Sequence, residues 1–281
     1  MTTYVVTGAS TGIGRACVAR LQDRGATVFA GVRREADGDA LRDELGSRVR
    51  PILLDVTDPT QINAARDTVS TRLGGNPLDG LVNNAGVAIG GPVEYLATEE
   101  WRQQFEVNLF GVVETTKVFL ELLRRGPGRN VIVGSVSGRL ASPMVAPYSA
   151  SKHAVEALAE ALRHELRDWG IRTSIVEPGA VATPIWDKGR AQADRLEHDL
   201  PIEARQRYAR FIEVVRRAID QQEKVGVPPD RVAQVVERAL VAPRPRARYL
   251  VGADAHVQAA LARFLPDSWR DAAQRAFLNR M

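Results

Sequence analysis

The chain has 281 residues, 44% apolar and 26% charged, enough for one large α/β domain or two small ones with a real core. Its formal charge of +4 is scattered without a basic stripe, which argues against a nucleic-acid surface, and no apolar run approaches membrane-spanning length. No charged segment followed by an apolar one opens the chain, and a single cysteine, Cys17, allows no internal disulfide, so a cytoplasmic protein is expected.

In chain order, short β-branched runs alternate with amphipathic stretches. Strands are predicted at 3–7, 27–32, 49–54, 79–83, 130–135, 172–177 and 248–252, with helices such as 13–24, 60–73, 99–125 and 148–169 between them. Several strands are apolar almost throughout, as expected where a parallel sheet is covered on both faces. The alternation predicts an α/β fold, a doubly wound parallel sheet in a single domain over 1–253. An insertion at about 183–228 interrupts the rhythm and is read as a helical lid over the site. The tail, 254–281, has an amphipathic pattern suited to docking on the domain or on a partner subunit.

The passage from first strand to first helix, "VVTGASTGIGRA" (5–16), carries Gly8, Gly12 and Gly14, with Ser10, Thr11 and Ile13 between them. Glycines there permit a tight turn and let backbone approach a pyrophosphate, while a helix N-terminus offers free N–H groups and a positive dipole. Ligands of such sheets bind at the carboxyl ends of strands. At the end of the second strand, Arg33 and Arg34 stand where an acid would hold a ribose 2′-hydroxyl. An arginine fork suits a 2′-phosphate, so NADP(H) is expected over NAD(H), with Glu35 and Asp37 close enough in sequence to compete. Asp55, followed by Val56, ends the third strand. Its carboxylate suits either an adenine amino group or the cap of a helix starting near Asp58. In "NNAG" (83–86), Asn84, Ala85 and Gly86 either line a cofactor or tie strand ends together.

Farther on, "GSVSG" (134–138) puts Ser135 just past the fifth strand, with Ser137 as its competitor. It is no hydrolase elbow, because Val136 holds the central position. "YSASK" (148–152) places Tyr148 and Lys152 one helical turn apart, on a face that continues through Val155, Ala159 and Leu162. A core tyrosine beside a snorkelling lysine is the structural alternative. The histidines at 153, 164, 198 and 256 lack ligand spacing, so no metal is expected.

In this order and spacing, "TGASTGIG" (7–14), "NNAG", "NLFG" (108–111), "GSVSG", "YSASK" and "PGAVAT" (178–183) resemble the short-chain dehydrogenase/reductase family over essentially the whole chain. The C-terminal third is similar to its hydroxysteroid and retinol dehydrogenase branch. The resemblance implies a Rossmann-type fold, a bound nicotinamide dinucleotide and hydride transfer between an alcohol and a carbonyl. It puts Asn108, Ser135, Tyr148 and Lys152 at catalytic positions, with Lys152 on the ribose hydroxyls and Asn108 holding a water that links Lys152 to solvent. It also implies that Pro178, Gly179, Val181 and Thr183 carry the chain beneath the nicotinamide. A free phenol, with a pKa of about 10, is a poor base near neutrality. Lys152 is expected to lower that of Tyr148, while Ser135 donates to the substrate oxygen.

Leu140 and Met144, with Ile185 and Trp186 of the lid, are the expected substrate residues, and their apolar character favours a lipophilic secondary alcohol or ketone. Family habit implies a homodimer or homotetramer built on the helices at 99–125 and 148–169. A non-catalytic dinucleotide sensor, an NAD-dependent dehydrogenase and a same-fold epimerase or dehydratase are the rival readings. A sensor has no need of both Tyr148 and Lys152, and the chain is short for an epimerase. If Arg33 meets a 2′-phosphate, Arg33→Asp shifts the preference towards NAD(H). An unaltered ratio of kcat/KM for NADPH and NADH would contradict that reading.

Overall fold

A computed structural model describes residues 2–280, apart from 185–189, 192–193, 196–197 and 199. Seven strands, β1 (Thr3–Val6), β2 (Thr27–Val32), β3 (Val49–Leu53), β4 (Gly80–Asn83), β5 (Arg129–Val133), β6 (Arg172–Pro178) and β7 (Arg248–Val251), lie in the order β3-β2-β1-β4-β5-β6-β7. Every pairing is parallel. The helices are α1 (Gly12–Asp23), α2 (Glu35–Leu45), α3 (Pro59–Leu73), α4 (Thr98–Phe105), α5 (Gly111–Arg124), α6 (Ala146–Glu165), α7 (Ile202–Val225), α8 (Pro229–Val241), α9 (Ala253–Phe264) and α10 (Asp267–Arg280).

Side chains alternate across a strand, and here each face meets its own core. Tyr4 and Val6 of β1 join Val18 and Leu21 of α1 and Val232, Val236 and Leu240 of α8. Val5, between them, joins Ile62 and Val69 of α3 and Phe119, Leu122 and Leu123 of α5 on the other face. Both faces being buried, β1 has no place for a charged residue. At the start of α3, Asp58 accepts from the backbone N–H of Thr60 at 2.8 Å, and Pro59 takes the first position, where its missing donor costs nothing. The cap near Asp58 is therefore Asp58 itself.

The helix expected over 99–125 is broken into α4 and α5 by a π turn at Glu106–Phe110, where Gly111 N–H donates to the Glu106 carbonyl. The insertion leaves and rejoins the fold at neighbouring points: Val227 N–H donates to Ala180 O and Ala182 N–H to Val227 O, both at 3.0 Å. From there α7 lies against the 90–95 loop. Its Ala204 and Ile212 bury themselves with Met144, and its Tyr208 donates to Glu94 Oε2 at 3.0 Å while meeting Tyr95 edge-on, with ring centroids 6.0 Å apart. Of the tail, α9 buries Ala255 and Ala259, whereas Phe264 and Trp269 are exposed. Among the described residues no helix is long and apolar enough to cross a membrane.

Phe119 is fully buried between sheet and helices. Phe119→Ala is expected to lower the stability by about 3–5 kcal/mol, read from the urea midpoint, and Phe264→Ala by less than about 0.5 kcal/mol. Equal effects would contradict this placement of the core.

Candidate active site

Strand order reverses between β1 and β4, and a doubly wound sheet opens a crevice at that point, beyond the carboxyl ends of its strands. The glycine loop borders it. Gly8 adopts a left-handed φ of 63°, and a Cβ there would stand 2.8 Å from Ala85 Cα. A Cβ on Gly14 would lie 2.2 Å from the Gly8 carbonyl, so only glycine lets α1 start this close to the loop. Thr11, the N-cap of α1, is extended and makes no side-chain cap, which leaves the first-turn amides to be satisfied from outside the helix. Free amides at a helix start beside such a glycine turn suit a pyrophosphate, and Ser10 and Ile13 lie in the same turn.

Asn84 closes the cradle from β4. Its amide donates to the carbonyls of Thr7 and Gly8, both at 3.0 Å, while Asn84 N–H and Ala85 N–H both reach Thr7 Oγ1 at 3.0 Å. Of its two sequence readings, tying strand ends is what the Asn84 side chain does. Gly86 lies beside Asn108, where a Cβ would be 3.4 Å from its Oδ1. At the end of β2, Arg34 forms a two-pronged pair with Asp37, at 2.7 and 3.0 Å, whereas Arg33 is exposed and pairs with no acid among the described residues. Asp55 accepts from Thr57 N–H at 2.9 Å and from its hydroxyl at 2.7 Å, and Val56 is buried against Gly111.

The chemical groups gather where β5 ends. Lys152 is 7% exposed, and its Nζ donates to the Val133 carbonyl at 2.9 Å, 5.8 Å from the centre of the Tyr148 ring. Tyr148 is half-buried and its phenol is electrostatically coupled to Ser135, which is itself buried and accepts from Ser137 N–H at 3.1 Å. Ser137 thus steadies Ser135 through its backbone. The close approach of the serine turn to α6 depends on Gly138, where a Cβ would lie 2.8 Å from the Lys152 carbonyl.

Burial raises the Tyr148 phenol above its ordinary value, and Ser135 only partly opposes it. Burial likewise pushes Lys152 down to about 8, against the pull of Glu156. The expected acidification of the phenol is therefore absent from this arrangement. Desolvation disfavours the phenolate, and the ammonium is directed at a backbone carbonyl instead.

The side chain of Asn108 holds the neighbouring loop. Its Oδ1 accepts from Val87 N–H at 2.8 Å, and its Nδ2 donates to Val87 O at 3.0 Å and to Ser151 Oγ at 3.2 Å. Two partners escaped the sequence reading. Gln104, fully buried one turn earlier, binds Ile89 N–H at 2.7 Å and Val87 O at 2.8 Å, and Ser151 donates to the Tyr148 carbonyl at 2.8 Å. Two amides four residues apart in a helix facing the sheet were the available signal. Also unforeseen was a charged cluster behind the site, in which the fully buried Glu177 accepts from Arg139 Nη2 at 2.8 Å and lies 3.6 Å from Arg248. Arg248 also donates to Glu156 at 3.0 Å; burial and the nearby Glu177 push Glu156 up to about 7.

Of the residues expected at the substrate, Met144 is buried against α7 with a strained φ of 68°, and its carbonyl accepts from Gly91 N–H at 2.6 Å. Leu140 is half-buried beyond the serine turn. Ile185 and Trp186 lie outside the described residues. Pro178 and Val181 are buried, and Thr183 approaches the glycine loop, with its Cγ2 3.2 Å from a Cβ position on Gly12.

Residues 2–194 match the family described as short chain dehydrogenase. An NADPH-dependent 3-dehydrocapnine reductase of Ornithobacterium rhinotracheale is 35% identical over 95% of this chain and 94% of its own length. The 17-beta-hydroxysteroid dehydrogenase type 6 of Bos taurus is 34% identical, over 95% and 85% respectively. A short chain dehydrogenase/reductase of Burkholderia phymatum, solved in complex with NAD, superposes with a TM-score of 0.79 at 28% identity, covering 92% of each chain.

The chain holds four lysines, so a lysine-labelled NMR titration is simple to read. The resonance abolished by Lys152→Arg is expected to titrate near pH 8, its ammonium being lost as pH rises through that value. Titration at the ordinary lysine value of about 10.4 would contradict the burial described here.

Proposed function

Because this chain belongs to the short chain dehydrogenase family, we propose that it is an NADP(H)-preferring enzyme interconverting a lipophilic secondary alcohol and its ketone, or an alcohol and its aldehyde, with Tyr148 as general acid and base. Like its relatives, it is an oxidoreductase that acts on CH–OH groups with a nicotinamide dinucleotide. The gathering of Ser135, Tyr148 and Lys152 beside a glycine cradle shaped for pyrophosphate carries the reading.

The dinucleotide, when bound, gives or accepts the hydride. The loop from Gly8 to Gly14 would hold its pyrophosphate against the first turn of α1. An ammonium has three donors; with one committed to Val133, two on Lys152 are available for ribose hydroxyls. The backbone of 178–183 would carry the nicotinamide, and Asp55 and Val56 would border the adenine. Ser135 would donate to the substrate oxygen and steady the charge that develops there. A phenol that burial keeps protonated is suited to deliver its proton to that oxygen as a carbonyl becomes an alkoxide. Oxidation would need the phenolate, and a positively charged nicotinamide would help to form it.

The preference for NADP(H) is supported by the unpaired, exposed Arg33 and by the cofactor in the name of the Ornithobacterium relative. Lipophilic substrates are supported by the apolar contact of Met144 with α7 and by the steroid in the name of the bovine relative. A homodimer or homotetramer on α5 and α6 belongs to the same proposal, supported by Phe110 and Trp169, each 49% exposed beside those helices. So does a cytoplasmic location, for which a single cysteine is suitable.

Tyr148→Phe is expected to leave NADPH binding intact and to lower kcat on a panel of ketones and aldehydes by about 10²- to 10⁴-fold, followed by NADPH absorbance. Undiminished turnover would sink the assignment of Tyr148.

A further inference from the structure

The turn at Pro178–Ala180 is held from the C-terminal end of the chain. Gly179 N–H donates to Val251 O at 3.0 Å, at the end of β7, and Ala180 N–H donates to Asp254 Oδ2 at 2.7 Å. Asp254 is the second residue of α9. Its carboxylate occupies a notch that two missing side chains leave open. A Cβ on Gly179 would stand 2.0 Å from Oδ2, and one on Gly252 would stand 2.4 Å from Oδ1. Beyond Ala180 the same loop is bridged at Val181 to Val227, and at Thr183 it rests against Gly12. The Asp254 contact is thus the attachment nearest the Gly179–Ala180 peptide from outside the sheet.

We propose that Asp254 is a positioning residue for the nicotinamide end of the cofactor. By accepting from Ala180, it fixes the backbone from Gly179 to Val181 on which that ring would rest, and makes the start of α9 part of the site. The inference rests on the reading of 178–183 as the nicotinamide turn. Asp254 touches no reacting atom. An acid in the first turn of a helix also favours the helix dipole, but that role follows its charge, whereas holding the turn follows the position of an acceptor oxygen. Asp254→Asn keeps an acceptor at the same reach and removes the charge. Asp254→Glu keeps the charge and displaces the acceptor by one methylene from the Ala180 N–H it meets.

Binding of NADPH and NADH, and of 2′-phospho-ADP-ribose and ADP-ribose as the same molecules without nicotinamide, is measured by calorimetry on the wild type, D254N, D254E and D254A. D254A and D254E are expected to weaken the intact dinucleotides about fivefold. They should leave the nicotinamide-free molecules unaffected, and D254N should bind like the wild type. Equal weakening of both kinds of ligand, no weakening, or D254E binding like the wild type while D254N does not would each overturn the proposal. Should D254A not fold, the contrast between D254N and D254E decides. A wild type that binds neither dinucleotide would instead overturn the reading of the site, a result distinct from tight binding that is indifferent to residue 254.

Discussion

The ammonium of Lys152 is largely withdrawn from bulk water, so the chain itself must supply part of its solvation. A cation buried in apolar surroundings is tolerated only with an oriented partner, and here the partner is the carbonyl of Val133, the last residue of β5. That contact requires α6 to pass close to the strand end, and Gly138 provides the clearance. The same approach brings Ser135 near enough to Tyr148 to influence its phenol. One desolvated charge therefore accounts for the helix position, for the glycine in the serine turn and for the meeting of the two hydroxyls. Burial of each group sets the direction of both perturbed proton affinities, since it opposes the phenolate and the ammonium alike.

Buried and half-buried amides hold the rest of the site. Asn84 fastens the glycine loop of β1 to the end of β4, while Gln104 and Asn108 grip the next loop at Val87 and Ile89. A buried amide left unpaired is costly, so each of these side chains specifies a single arrangement of the backbone it binds. The π turn before α5 belongs to this device. It places one extra residue in the turn that contains Asn108, and such turns recur where a helix must aim a side chain inward.

The seven strands were legible because parallel strands buried on both faces read as apolar runs, and all seven appear within two residues of the positions that pattern assigns. The glycine turn was legible from spacing at a strand end, and Tyr148 with Lys152 from their separation by one helical turn. Other features had no local signature. Gln104 and Asn84 act on backbone carbonyls and amides far along the chain, and nothing in a helix or loop pattern announces the acceptor. The Arg139–Glu177 pair joins residues 38 positions apart and forms only once β6 lies beside β5. The direction of the Tyr148 shift has no local signature for a related reason. Spacing shows that an ammonium is near a phenol, but not where the ammonium points, and it points at Val133.

The insertion begins and ends at one short bridge, Val181 beside Val227. Among the described residues, its two ends are tied to each other there by a pair of hydrogen bonds, Val227 to Ala180 and Ala182 to Val227, so the length and composition of what lies between can drift without loading strain onto the strands. Appetite for a new molecule can thus evolve as an edit to an appendage, while the cluster of Ser135, Tyr148 and Lys152 is inherited unaltered.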